Sequence, residues 1–183
     1  MRIVAGRLKG KKLEGTSSSM MRPTTDKVKE AVFSIIQFKI AGKKFLDLFA
    51  GSGQMGLEAI SRGAKHAFLI DSQKSSIDFI RKNVKSCGCE DSTTVLFKDS
   101  IAFLKTTQEK FDIAFLDPPY EKGLLEKTLP MLVNIMNDTG IIICECPFDS
   151  TMIEKVEPFS LYKKYKYGKI AILVYLNKTE GVL

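Results

Sequence analysis

Asp47-Leu48-Phe49-Ala50-Gly51-Ser52-Gly53-Gln54-Met55-Gly56 is the stretch whose reading decides the fold. Phe45 to Phe49 reads as a short buried strand, and the residues from Gly56 to Arg62 start a helix. Between them Gly51, Gly53 and Gly56 take the G-x-G-x-x-G spacing, where glycine permits a tight turn and a close approach of backbone to ligand. Any strand-to-helix turn can use glycines, so the spacing has little force alone. Context adds to it: Asp71 closes the next apolar run, twenty residues after Gly51. An acid at that distance can accept hydrogen bonds from ribose hydroxyls.

Outward from this stretch, short apolar runs alternate with helical periodicity. Ala67–Asp71 reads as a second strand, followed by a helix through Ile77, Ile80, Arg81 and Val84. Thr94–Phe97 is a third strand with a short helix over Ile101–Lys105, and Ile113–Asp117 a fourth with a helix over Lys122–Met136. Ile141–Cys146 is a fifth. Such βαβα alternation predicts an α/β fold with a mostly parallel sheet and helices on both faces. The pattern then changes: Ser160–Tyr167 and Lys169–Leu176 flank Gly168 and predict an antiparallel hairpin, making seven strands. Before the glycine stretch, residues 2–5 and 8–13 around Gly6-Arg7 predict a short basic β-hairpin. Arg22-Pro23-Thr24-Thr25-Asp26 then introduces an amphipathic helix over Val28, Val32, Ile35 and Ile36, capped by Thr25 or Asp26. No repeat or linker divides the chain, so residues 1–183 are expected to form one domain, with 1–24 a basic segment and 25–183 the α/β core.

The acids choose the ligand. A dinucleotide such as NAD or the sulfonium cofactor S-adenosylmethionine could each occupy a glycine turn of this type. Asp47, four residues before Gly51, sits badly beside a pyrophosphate and well beside an ammonium group. Asp99, in Phe97-Lys98-Asp99-Ser100, can take an adenine amino group, although Asp99 or Ser100 could equally cap a helix. Together with Asp117 these acids are expected at the carboxyl edge of the sheet, where ligands bind in such folds. Asp117-Pro118-Pro119-Tyr120 then supplies a carboxylate and carbonyl oxygens for an exocyclic amine, two prolines that stiffen the loop, and a ring to stack on a base. As an ordinary turn the same tetrapeptide would also be unremarkable, since Asp and Pro favour turns.

The net charge of +7 is uneven. Residues 1–44 hold eleven Lys or Arg against three Asp or Glu, leaving seventeen basic and eighteen acidic residues in the remainder. An N-terminal excess of this kind suits a segment that meets phosphates. No run of about 18 apolar residues predicts a membrane span, and the N-terminus lacks the apolar core of a secretory signal; the expected location is cytoplasmic. Cys87 with Cys89 and Cys144 with Cys146 lack zinc-knuckle spacing, and the only histidine, His66, is far from both pairs. Neither metal nor disulfide is expected.

These residues resemble class I S-adenosylmethionine-dependent methyltransferases, specifically the RsmD-type enzymes that methylate a guanine N2 of bacterial 16S ribosomal RNA. The matching pieces are Met1–Gly6, Leu8–Gly10, Arg22–Asp26, Val28–Glu30, Asp47–Gly53, Gly56–Ala59, Ser61–Ala64 and Asp117–Tyr120. The glycine loop is shared by many methyltransferases; the pairing of Arg22-Pro23-Thr24 with Asp117–Tyr120 is far more specific. Asp71 replaces the Glu usual in the family, and Gln54-Met55 replace smaller residues.

The resemblance implies a Rossmann-like class I methyltransferase fold and methyl transfer to the exocyclic amine of guanine. Asp117, Pro118, Pro119 and Tyr120 would form the catalytic loop. Asp47, Phe49, Gly51, Ser52, Gly53, Gly56, Asp71, Asp99 and Ser100 would hold the cofactor, with Arg22 and Thr24 bordering cofactor or base. Arg2, Arg7, Lys9, Lys11 and Lys12 would grip RNA phosphates. The implied partner is 16S ribosomal RNA or the small ribosomal subunit, met by a monomer away from any membrane. Adenine-N6 methylation of DNA is the nearest rival, because the same tetrapeptide serves either amine. Protein-glutamine methylation fits less well, since those enzymes usually place Asn where Asp117 stands. A non-catalytic RNA-binding protein is the rival from another class.

Overall fold

The structure, a computed structural model, describes residues 1–15, 25–120 and 123–177. Five parallel strands form the first part of one sheet: β1 (Lys44–Asp47), β2 (His66–Asp71), β3 (Thr93–Phe97), β4 (Phe111–Leu116) and β5 (Met136–Pro147). Three antiparallel strands extend it: β6 (Lys155–Val156), β7 (Phe159–Tyr167) and β8 (Ile170–Asn177). The order across the sheet is β3-β2-β1-β4-β5-β8-β7-β6. The expected seven strands are present, and β6 adds an eighth. Two residues are too short to show a two-residue period, so nothing in the sequence announced it.

Side-chain alternation divides the core into two layers. Phe45, Leu69, Phe115, Ile143 and Val174 face one side with α1 (Asp26–Ile35), α2 (Gln54–Ser61) and α3 (Lys74–Cys87). Leu46, Ile70, Leu116, Cys144 and Leu173 face the other with α4 (Ser100–Thr106) and α5 (Leu124–Leu132). The central strands are buried on both faces, which explains why they read as continuous apolar runs. Thr25 caps α1, its side chain accepting from the Val28 N–H at 3.4 Å.

Boundaries moved where local signals were ambiguous. The helix α2 begins at Gln54 rather than Gly56, because the left-handed Gly53 (φ 77°) is its N-cap. The helix expected over Lys122–Met136 ends at Leu132 and tightens into a 3₁₀ turn over Val133–Ile135. Met136 is taken instead by β5, paired with Phe111.

The N-terminal segment is a hairpin with one antiparallel bridge, Arg2 to Lys12, closed by Ile3 N–H to Lys11 O (2.9 Å) and Gly10 N–H to Ile3 O (2.9 Å). It is held on α2. Glu58, fully buried, accepts from the Val4 N–H (2.8 Å), the Ala5 N–H (3.0 Å) and the Arg62 guanidinium (2.8 Å). The Ser61 hydroxyl donates to Ala5 O (2.6 Å) and accepts from the Leu8 N–H (2.9 Å). Gly6 lies at φ +81°, where a Cβ would stand 2.0 Å from the Ser61 carbonyl oxygen, so the chain can pass there only as glycine.

Candidate functional site

Four adjacent strands bring four carboxylates to one rim. Because β3, β2, β1 and β4 are parallel neighbours, their carboxyl ends share an edge. Asp71 and Asp47 are the last residues of β2 and β1, Asp117 directly follows β4, and Asp99 stands two residues past β3. The strand order reverses between β1 and β4, the position at which doubly wound sheets open a ligand crevice.

Asp47 is 1% exposed and receives one backbone N–H, that of Gly56, at 3.2 Å. Burial pushes its carboxyl up to about 7, with the Gly56 hydrogen bond opposing the rise and the nearby Asp71 adding to it. A buried carboxyl poised near neutrality can receive a cation, because a positive neighbour restores the charge that burial disfavours. This fits a ligand with an ammonium or sulfonium group. A testable consequence follows for the free protein. The folded state binds the Asp47 proton more tightly than the unfolded state, so stability contributed by the protonated form is lost as pH rises from about 4 to about 7. Asp47→Asn should flatten that slope, by roughly 1 kcal/mol per pH unit at most. Urea midpoints of both proteins measured across that range check it; parallel slopes would contradict the assignment.

Asp71 accepts from the Gly51 N–H and the Gln73 N–H, each at 2.8 Å, while burial raises its pKa against these bonds. It thus ties the second strand to the glycine turn. Each glycine has its own reason. Gly51 is left-handed (φ 56°) with open space where a Cβ would be, which leaves the backbone approachable. Gly56 packs so closely on β2 that a Cβ would fall 2.0 Å from Leu69 Cδ2. Phe49 is half-buried beside the second core layer, and Ser52 is half-buried with its carbonyl accepting from Asn83 Nδ2 at 2.9 Å.

Asp99 is exposed and caps α4, accepting from the Ala102 N–H at 2.9 Å; Ser100, buried, is the first helical residue. Phe97, which sequence reasoning passed over, is 60% exposed and level with Asp71 across the β2–β3 pairing. An aromatic ending a strand just before the acid was the available signal.

In the proline loop, Asp117 is half-buried, Pro118 buried and Pro119 exposed. Tyr120 is 49% exposed, and its hydroxyl donates to Glu145 Oε1 at 3.1 Å. Burial, then the charges of Glu145 and Asp117, raise the phenol pKa, so the hydroxyl stays protonated as the donor. The ring is therefore held by its tip rather than packed into the core. Glu145 was also missed: it is a lone acid in the apolar end of β5, yet it reaches the same rim as the other carboxylates.

Arg2, Arg7, Lys9, Lys11 and Lys12 are all exposed on the N-terminal hairpin. That hairpin also touches the glycine turn through Asn83, which is 1% exposed. The Asn83 side chain accepts from the Glu14 N–H (2.8 Å) and donates to the carbonyls of Glu14 (2.8 Å) and Ser52 (2.9 Å). Arg22 and Thr24 lie outside the described residues. All four cysteines are buried free thiols, and no group of three possible metal-ligating side chains occurs among the described residues. No described helix is long and apolar enough to cross a membrane.

The chain is similar to known proteins along nearly its whole length. The family model described as Conserved hypothetical protein 95 matches residues 1–176. The chain is 34% identical to Ribosomal RNA small subunit methyltransferase D of Buchnera aphidicola, over 97% of this chain and 93% of that protein. It is 32% identical to the Escherichia coli protein of the same name, over 99% of this chain and 92% of that one. Among solved structures, "Putative methyltransferase yhhF" from Escherichia coli superposes with a TM-score of 0.88 at 31% identity, covering 98% of this chain and 99% of that one.

Proposed function

Because the chain belongs to the family of ribosomal RNA small subunit methyltransferase D, matched by the Conserved hypothetical protein 95 model, we propose that it transfers a methyl group from S-adenosylmethionine to the exocyclic N2 of a guanine in 16S ribosomal RNA. The observation that carries the reading is the shared rim. A buried carboxyl that favours a cation stands beside a glycine turn, on the strand next to a proline-stiffened loop with a half-exposed aromatic ring.

The cofactor supplies a methyl group already activated on a sulfonium, so the protein's task is alignment. Asp47 would face the positive end of the cofactor, Asp71 its ribose, and Phe97 with Asp99 its adenine. A guanine amine is a weak nucleophile, since its lone pair is delocalised into the ring. The Asp117 carboxylate and the Pro118 carbonyl would accept its hydrogens and favour the positive charge that grows on nitrogen during attack. Tyr120 would stack on the base, its ring angle set by the hydrogen bond to Glu145. A paired base hides its amine, so the guanine must be unpaired or extruded. The exposed cations of the N-terminal hairpin would hold phosphates. The protein would act as a monomer in the cytoplasm on the small subunit, and the continuous sheet supports treating residues 1–183 as one methyltransferase domain.

Transfer of labelled methyl groups to assembled small subunits, naked 16S rRNA or DNA tests the reading, with mapping of the modified base. Label on guanine N2 of the RNA is expected; label on DNA adenine, or none, would overturn it. Within this scheme Asp71→Ala should weaken cofactor binding about tenfold or more, by removing a charge-assisted acceptor worth about 1.5–3 kcal/mol. Calorimetric titration checks this directly, and an unchanged affinity would remove Asp71 from the cofactor site.

A further inference from the structure

The charge balance of the whole chain conceals a second cationic surface. Residues 159–177 contain Lys163, Lys164, Lys166 and Lys169 and no Asp or Glu, although the chain beyond residue 44 is nearly neutral. All four lysines lie on β7 or in the turn to β8, and three of them are exposed, with Lys164 half-buried. Among the described residues none of the four makes an ion pair. Two of them are gathered instead on one ring: the Lys164 and Lys166 ammonium groups stand 4.2 and 4.1 Å from the centre of Phe148. Lys164 also donates to the Phe148 carbonyl at 2.8 Å. Lys163, paired with Val174, points to the opposite face of the sheet, where it lies 5.0 Å from the half-buried ring of Tyr165.

Strand register places this cluster beside the site. Glu145, which anchors Tyr120, pairs with Ile172, and Ile172 pairs with Tyr165. Cys146 pairs with Ala171, and Ala171 with Lys166. The lysines of β7 are therefore level with the end of β5 and two strands away, about 10 Å at the usual strand spacing. They lie beyond β5, whereas the N-terminal hairpin is held on α2 and α3, near β1 and β2. The proline loop stands between two cationic surfaces.

We propose that Lys164 and Lys166 form a second phosphate-binding surface, which takes the RNA strand leading away from the extruded guanine on the side opposite the N-terminal hairpin. This rests on the RNA methyltransferase reading and deepens it. Two lysines crowded on one ring without an ion-paired carboxylate repel one another, and phosphate oxygens are the ligand chemistry that relieves this. The aromatic neighbours hold the ammonium groups by cation–π attraction without neutralising them. Contacts from both flanks would also resist rotation of the RNA about the extruded base, which a single hairpin cannot do.

The test combines Lys164→Gln and Lys166→Gln in one variant, with Lys→Arg at both positions as the charge-retaining control. Binding of a 16S rRNA transcript is measured between about 50 and 200 mM salt, alongside cofactor titration and methyl transfer. The Gln variant is expected to bind RNA about tenfold more weakly, and its log–log salt dependence should become shallower by about 1.5, at roughly 0.7–0.9 per lost phosphate contact. Cofactor affinity should not change, and the Arg variant should retain the wild-type slope. A Gln variant with wild-type slope and affinity overturns the proposal, and it would direct these lysines to an acidic protein surface instead. If wild-type protein neither binds nor methylates RNA, the functional reading falls first and this inference with it. If wild type does both and only the Gln series is silent, this inference alone fails.

Discussion

Asp117→Ala is expected to lower methyl transfer to RNA by about 10²–10³-fold while leaving S-adenosylmethionine affinity within about twofold. The magnitude is that of removing one preorganised group aimed at charge developing in a transition state. The separation of effects follows from position. Asp117 follows β4, whereas the glycine turn and Asp71 belong to β1 and β2, tied together by the hydrogen bond from Gly51. Pro118 and Pro119 keep the loop backbone in place when the side chain is shortened, because their φ angles are fixed by their rings. Single-turnover transfer from labelled cofactor, with calorimetry on the same preparations, provides the measurement. Wild-type turnover in the variant would remove Asp117 from the chemistry, and loss of cofactor binding would relocate it to the cofactor site.

The second large effect concerns stability. Glu58→Ala removes a fully buried carboxylate that satisfies two backbone N–H groups and a guanidinium at once. Breaking a buried ion pair by deleting one partner costs about 3–5 kcal/mol. For a chain of this size that corresponds to a fall of roughly 6–15 °C in the unfolding midpoint. The lesion is local. Val4 and Ala5 lose their acceptor, and Arg62, which also lies 4.8 Å from the Phe33 ring, loses its counter-ion. Proteolysis should therefore appear first within residues 7–12, and RNA affinity should fall with it because the basic hairpin is no longer held. A midpoint within 2 °C of wild type (about 1 kcal/mol or less) would show that the other anchors, chiefly Ser61, suffice.

Glu58 also marks where reading the sequence stopped. In the chain it is an ordinary acid in a helix, and nothing local distinguishes it from Glu30 or Glu126. Its role comes from Val4 and Ala5, more than fifty residues earlier, and that proximity exists only once Ile3 and Leu13 have joined the core. Asn83 and Glu145 were illegible for the same reason: one polar side chain acquires meaning from a backbone carbonyl or a hydroxyl that the fold brings to it. The lysines of β7 were hidden differently, because charge summed over a long stretch cancels what a single strand concentrates.

What the chain states by itself is the part built on local rules. Short apolar runs, glycines at a strand-to-helix turn, acids at successive strand ends and a proline loop all lie within a few residues of the atoms they constrain. Parallel connection through helices then forces those strand ends onto one rim, so the carboxylates could be expected together before any coordinates. The fold alone decided which acid is sealed from water, which ring stays exposed and what holds it there. It also set which cations, among the described residues, stand without an ion pair. These depend on neighbours distant in sequence, since burial and hydrogen bonding are properties of the packed interior.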